Sequence, residues 1–529
     1  MFSVRFAEMA NRNRRNRQLS LFRSLSRKVA AAAFLAVAVM VFQPEPLSAT
    51  LSLLDAVRTA LDHAPGVQLE KQNLRISESD LLLARSAFDR KVSLSLGYQK
   101  DAGSLISDSG LQTVSTTLIS STLLPFGLSV SPEASVSGYT PAGSVSNSEA
   151  SVGITFTLPL MEGLGNNESR MNLTASKKRY LAESLLLQHT ASLTVYSAAD
   201  AYWNYVYAYR TLRLDHQLSR MAEESYRATK SLAGAGEVAM IRADHAEAYL
   251  QLAEAAEVSD AHSLREAWNA LLLSMGTSTP GREEPEEPLD SFPLPNAELS
   301  LLSQLKGVKA QALASRADLQ ALRLQGDAAN DLVMGSRNRL KPRIDLDLWA
   351  GYNGYQSGTG IDDYLASLAS HTRGVNVSAT LRYAFDYGNH SDRSAFIRSS
   401  AFHETALINL QTLERTIESE VSLAVESVKS NAAKWHLCMK SAETYRRLNA
   451  AELKKYRMGM SDLFKVQNVS TDLSLAEKQL LAAEKDYASS LLKLRYEVAS
   501  LIEMQDGCFR VERQNLLTVP ALINPSANQ

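Results

Sequence analysis

The chain has 529 residues, 45% of them hydrophobic and 21% charged, with a net charge of −2 and two cysteines, Cys438 and Cys508. That length allows a large core or several domains, and the balanced charge without a basic patch argues against nucleic acid as a partner. No nucleophile elbow, phosphate loop or zinc-binding helix occurs, so no enzyme is expected and no catalytic, cofactor-binding or metal-ligating residue is assigned.

Residues 1–49 have the order of a secretory signal. Arginines and lysines crowd the stretch up to Lys28, the apolar run VAAAAFLAVAVMVF spans Val29 to Phe42, and the small residues Leu47-Ser48-Ala49 follow. The run is short for a membrane-spanning helix, so export with cleavage near Ala49 is expected. No later apolar run is long enough to span a bilayer as a helix, which leaves an exported soluble protein or a β-barrel.

The remainder is written twice. Leu51–Tyr98 and Ser315–Tyr352 each give a helix, a basic patch and an alternating segment ending in Gly-Tyr. TLPLMEGLGNN (Thr157–Asn167) matches LRYAFDYGNH (Leu381–His390), and SLAGAGEVAMIRAD (Ser231–Asp244) matches KYRMGMSDLFKVQN (Lys455–Asn468). The first repeat is assigned to 50–278 and the second to 297–504. A proline- and acid-rich linker, 279–296, joins them, and 505–529 form a tail.

Four strands are predicted: Lys91–Tyr98, Ser151–Pro159, Ile344–Tyr352 and Val375–Tyr383. Each alternates apolar with polar residues, which suits a half-buried sheet or a membrane barrel. The connecting stretches Gln99–Glu149 and Gly354–Arg373 read as polar loops, the first with room for an extra hairpin around Leu118–Ser137. Four membrane strands cannot close alone, so several chains would have to share one barrel.

Each repeat ends in a long helical hairpin. From about Ser391 to Leu501 the chain lacks proline and reads as helix, interrupted by Gly459. Val466, Leu473, Leu480, Tyr487, Leu494 and Leu501 recur every seven residues, with Val469, Ala476, Ala483 and Ser490 between them. Val421, Val428, Trp435 and Ala442 repeat the pattern before the glycine, as coiled-coil arms require. A reversal joins the arms, and Gly236 and Gly459 supply the left-handed residue that ends a helix. Pairing about the tip keeps Cys438 far from Cys508, so no intrachain disulfide is expected.

Other motifs carry bland readings. GAGEVA (Gly234–Ala239) fits a dinucleotide fingerprint but follows a helix rather than a strand. His436 and Cys438 are too few for a metal site. Asp345 and Asp347 share a strand face as a solvated wall. Tyr202, Trp203, Tyr205, Tyr207 and Tyr209 surround one helix, as packing would require.

The opening LSLLDAVRTALDHAPGVQ, the junctions LPLMEGLGNN and YAFDYGN, the aromatic run AYWNYVYAYRTLRL and the two glycine tips together resemble the TolC family of outer-membrane efflux proteins. The resemblance covers about Leu51 to Ile502. It implies a mainly α fold with a membrane β-barrel: a homotrimer whose four strands per chain make a twelve-stranded barrel above a tunnel of coiled-coil hairpins. It implies an outer-membrane exit duct extending into the periplasm, serving efflux or type I secretion. The partners implied are a periplasmic adaptor (membrane fusion protein), an inner-membrane pump of RND or ABC type, and outer-membrane lipid. The tips Gly236, Glu237, Gly459, Met460 and Ser461 would contact the adaptor. Where family members often carry acids past the tip, this chain has Arg242, Lys465 and Asn468, a candidate basic aperture. The alternative turns these side chains outward or pairs them with Asp462 and Asp244. The rival class is an exported coiled-coil adaptor without a barrel.

Overall fold

The structure, a computed structural model, describes residues 50–101, 111–141, 145–277, 284–295, 305–370, 374–505 and 508–520. The expected signal segment and its cleavage point lie outside them. Two compact units are present. The smaller, as described, pairs β1 (Thr50–Leu51) in parallel with β6 (Glu287–Pro288).

The larger unit opens with helices α1 (Leu53–His63) and α2 (Pro65–Arg85) and strands β2 (Lys91–Asp101), β3 (Leu111–Leu123), β4 (Ser129–Pro141) and β5 (Asn147–Pro159). Helices α3 (Glu168–Gly234) and α4 (Met240–Ser274) form the first hairpin. The chain continues as α5 (Leu305–Ser315), α6 (Ala317–Arg339), β7 (Arg343–Ser357), α7 (Ile361–Ala369), β8 (Asn376–Ala384), α8 (His390–Arg457) and α9 (Leu463–Glu497). The tail carries β9 (Glu503–Gln505), β10 (Cys508–Arg510) and α10 (Arg513–Leu517). At about 1.5 Å per residue, α3 and α8 are each about 100 Å long.

The six longer strands make one antiparallel sheet in the order β2-β3-β4-β5-β7-β8. This corrects the expectation of four strands: the stretch expected to be a polar loop holds two further strands, and the hairpin expected around Leu118–Ser137 is wider and is laddered to a neighbouring strand on each side. Gly354–Arg373 likewise contains the end of β7 and helix α7. Ser and Thr fill both new strands, so their hydrophobic contrast is weak. Pro132 also argues against an interior strand, since it cannot donate to a ladder. The structure accommodates it where the β3–β4 ladder opens between Ile119↔Glu133 and Thr122↔Val130, while Pro132 stays opposite Ile154 on β5.

Register divides the sheet into two chemical faces. One carries Ser93, Ser95, Thr117, Glu133, Ser135, Ser151, Thr155, Asp347, Ser378 and Arg382. The other carries Val92, Leu94, Leu96, Leu118, Val152, Ile154, Leu348, Val377 and Leu381, all exposed. A short helix, α7, lies on the apolar face, where Tyr364 covers Gly138 and Ser367 covers Gly354.

The core sits where the helices bundle. Ile417, Val421, Val425 and Val428 of α8 pack with Tyr487, Leu491 and Leu494 of α9 and with Val308, Ala312 and Leu319. Both seams contribute: Val466, Tyr487 and Leu494 of the one and Ala476, Ala483 and Ser490 of the other are buried, while Leu473, Leu480 and Val469 are half-buried. The helix stops at Glu497, short of Leu501, because Ala499 turns left-handed at φ 55°. Of the aromatic run, Tyr202, Trp203 and Tyr205 are buried, with Trp203 against Phe292 and Tyr205 against Trp268. Tyr202 donates to Asp290, which also accepts from the Leu53 amide and pairs with Arg513 at 2.6 Å. Buried Arg495 holds the tail through the Thr518 carbonyl at 2.6 Å and hydroxyl at 2.6 Å.

Candidate functional site: hairpin tips and sheet wall

Both tips are built alike. Helix α3 ends as Gly236 takes φ 77°, with its amide on the Ala233 carbonyl and the Glu237 amide on the Leu232 carbonyl. Helix α8 ends as Gly459 takes φ 72°, with its amide on the Tyr456 carbonyl and the Met460 amide on the Lys455 carbonyl. This is the doubly bonded glycine cap, in which the left-handed residue turns the chain back on the last free carbonyls.

The fold brings the two tips together. Arg242 near the start of α4 reaches Asp462, the residue that precedes α9, at 3.2 Å. Asp462 holds the N-cap position but makes no side-chain bond to its own helix. One turn further, His245 of α4 meets Phe464 of α9 edge to face, with ring centroids 5.1 Å apart. Of the predicted aperture residues, Arg242 is therefore paired, whereas Lys465 and Asn468 are exposed. Of the predicted contact residues, Gly236, Glu237, Gly459 and Met460 are exposed. Ser461 is half-buried and donates to Glu452, which Lys455 also pairs at 3.2 Å. The Ser461 hydroxyl and the Lys455 ammonium hold the Glu452 carboxyl below its usual range.

Two features escaped the sequence reading. One is an apolar fringe at the tips: Met240 and Ile241 stand exposed with Met458, Met460 and Phe464. Its signal was the apolar run Val238-Ala239-Met240-Ile241, which begins two residues after the tip glycine Gly236. The other is a charged clamp higher in the hairpins, where Lys478 of α9 sits 2.7 Å from Asp215 of α3 and 3.2 Å from Asp260 of α4. Burial and the neighbouring Asp260 push the Asp215 carboxyl up to about 6. Burial works against the charge of Asp260 too, but the hydrogen bond from Asp215 and the Lys478 ammonium hold it below its usual range. No local motif marks this cluster, because its members come from three helices.

The sheet's polar face carries two ion pairs. Asp345 pairs with Arg343 at 2.7 Å, and Asp347 pairs with Arg382 at 3.1 Å while accepting from Thr157 at 2.7 Å. Trp349 of β7 lies over Gly153 of β5 and donates to Glu133 of β4 at 2.7 Å. At the strand-to-helix junction, Asn338 accepts from the Gly163 amide at 2.7 Å and donates to the Leu164 carbonyl at 3.2 Å. Asn167 caps α3 by accepting from the Arg170 amide at 2.8 Å. Among the described residues no cluster of His, Cys, Asp or Glu could hold a metal ion, and Cys438 is a free, half-buried thiol. The side chain of Cys508 lies outside the described residues. No helix among them is long and apolar enough to cross a membrane.

An antiparallel sheet with one exposed apolar face and one hydroxyl-rich face, continued by helices of such length, defines a β-barrel channel protein with a helical extension. The chain belongs to the outer membrane efflux protein family, whose pattern matches residues 56–277 and 308–497. It is thus an outer-membrane efflux channel rather than an enzyme. Solved structures with the same fold include the CmeC outer membrane channel of Campylobacter jejuni, at 15% identity over 85% of each chain, with a TM-score of 0.63. VceC of Vibrio cholerae shares 15% identity over 84% of this chain and 95% of its own, with a TM-score of 0.62. The open MtrE channel of Neisseria gonorrhoeae shares 15% over 85% and 88%, with a TM-score of 0.59. No curated protein sequence matches the chain.

Proposed function

We propose that three copies of the chain assemble into a passive exit duct for efflux or type I secretion. The tips engage a periplasmic adaptor and, through it, an inner-membrane pump of RND or ABC type. The observation that carries this reading is the sheet: its apolar face suits lipid, yet it ends in open strands, which lipid does not tolerate. Copies must therefore complete the ring, and the family resemblance puts their number at three. The tips support the partner assignment. Gly236 and Gly459 expose matching caps, and the fringe of Met240, Ile241, Met458 and Met460 is an apolar patch of the kind that marks an interaction surface.

Within the duct, the Arg242–Asp462 pair acts as a latch between hairpins, and Lys465 with Asn468 lines the aperture. Exposed Lys465 from each copy would favour anionic solutes, as rings of cationic side chains do.

The test is the mass and single-channel conductance of the detergent-extracted protein in a planar bilayer. A trimer that inserts and conducts supports the duct, and a lower anion preference in Lys465→Asp supports the aperture. A monomer without conductance would leave the rival reading, an exported coiled-coil adaptor.

A further inference from the structure

The sheet holds more strands than a twelve-stranded barrel of three chains can take. We propose that this channel closes as an eighteen-stranded barrel, with the β3–β4 hairpin built into its wall. The inference rests on the trimeric duct proposed above and concerns the width of its outer end.

Four observations make the hairpin wall rather than loop. It is laddered on both sides, to β2 from Lys91↔Ser121 to Asp101↔Leu111 and to β5 from Ser129↔Thr157 to Tyr139↔Asn147. It continues both faces of the sheet, with Val114, Leu118, Val130 and Val136 on the apolar side and Thr113, Ser115, Ser135 and Ser137 on the polar side. Its turn is fixed at the helical end: the Asn167 amide donates to the Pro125 carbonyl at 3.0 Å, and the Gly165 amide to the Phe126 carbonyl at 3.1 Å. Finally, the second repeat grips it from both faces. Trp349 reaches Glu133 across the polar face, and Tyr364 of α7 covers Gly138 on the apolar face.

The outer strands allow closure. Strand β2 leads away from the helices and β8 returns towards them, so β8 of one copy can meet β2 of the next antiparallel. Every junction in the ring then has the same sense. Six strands from each of three copies make eighteen. With strands about 4.8 Å apart and tilted about 40°, the backbone ring is about 36 Å across, against about 24 Å for twelve strands. Barrels of this size hold an open aqueous lumen. The lining is hydroxyl-rich, and four of its charges pair within the wall, Arg343 with Asp345 and Arg382 with Asp347. The barrel therefore does not set the size limit on the solute; the helical tunnel and its tips do.

A three-dimensional reconstruction of the full-length protein purified from outer membranes tests this directly by counting strands. Three copies with eighteen strands in the wall are the expected result. Three copies with twelve strands, the β3–β4 hairpin lying outside the ring, would overturn the inference and leave the trimeric duct intact. Two copies closing twelve strands would overturn both.

Discussion

The Arg242 guanidinium lies 3.2 Å from the Asp462 carboxylate and joins the tips of two hairpins that are 220 residues apart in sequence. Both side chains are exposed, so the pair contributes about 0.2–1 kcal/mol, a latch weak enough to be opened by a partner. Arg242→Ala and Asp462→Ala should each raise the open probability of single channels, by up to about fivefold at 1 kcal/mol. The double variant should match either single variant, since one interaction is lost in all three. Additive effects would show that the residues act separately.

The tip glycines differ from the glycine at the wall junction. A Cβ at Gly236 or Gly459 meets nothing within 4 Å, so the cost of Gly459→Ala is the left-handed backbone alone, about 1–2 kcal/mol. Gly127 has φ 106°, and a Cβ there would fall 2.1 Å from the Gly163 carbonyl oxygen. Gly127→Ala should thus impair assembly in the outer membrane where Gly459→Ala only lowers the melting temperature. Equal yields of folded Gly127→Ala protein would contradict the pinned turn.

Asp215 gives stability a defined pH dependence. Its folded value, about 6, lies above the ordinary 3.8, so the folded protein binds this proton more tightly than the unfolded chain does. The contribution is present below about 3.8 and is lost as pH rises from there through about 6. Asp260 has the opposite shift and acts only at lower pH. Asp215→Asn should remove the decline in melting temperature between about pH 4 and pH 6.5, while Lys478 remains paired with Asp260. An unchanged pH profile would mean that the clamp does not titrate.

Neighbours on β2 should respond oppositely to charge. Leu96 is on the apolar face and 75% exposed, whereas Ser95 is on the polar face. A lysine on the lipid side near the bilayer midplane costs about 2–4 kcal/mol, and one facing water costs little. Leu96→Lys should sharply reduce the heat-resistant assembled form on gels, with Ser95→Lys close to wild type. The reverse order would turn the sheet inside out.

Much of this was legible locally. A seven-residue repeat and a lone glycine define hairpin arms and tips, because helix period and left-handed backbone are properties of short segments. Strong alternation, as in Ile344-Asp345-Leu346-Asp347-Leu348, located the four strands predicted. Strands β3 and β4 give only the trace of a hairpin around Leu118–Ser137 within a polar stretch, because Ser and Thr alternating with small apolar residues give little contrast. Pro132 weakened the signal further.

The sequence by itself determined the long hairpins, their glycine turns and the strongly amphipathic strands, since each is set by residues within a few turns of one another. Only the tertiary structure decided how many strands share the sheet, because pairing partners such as Thr117 and Ser95 are chosen by register. It alone paired Arg242 with Asp462 and set Lys478 between Asp215 and Asp260. Those contacts depend on how two hairpins pack side by side, and packing is a property of surfaces that no single segment contains.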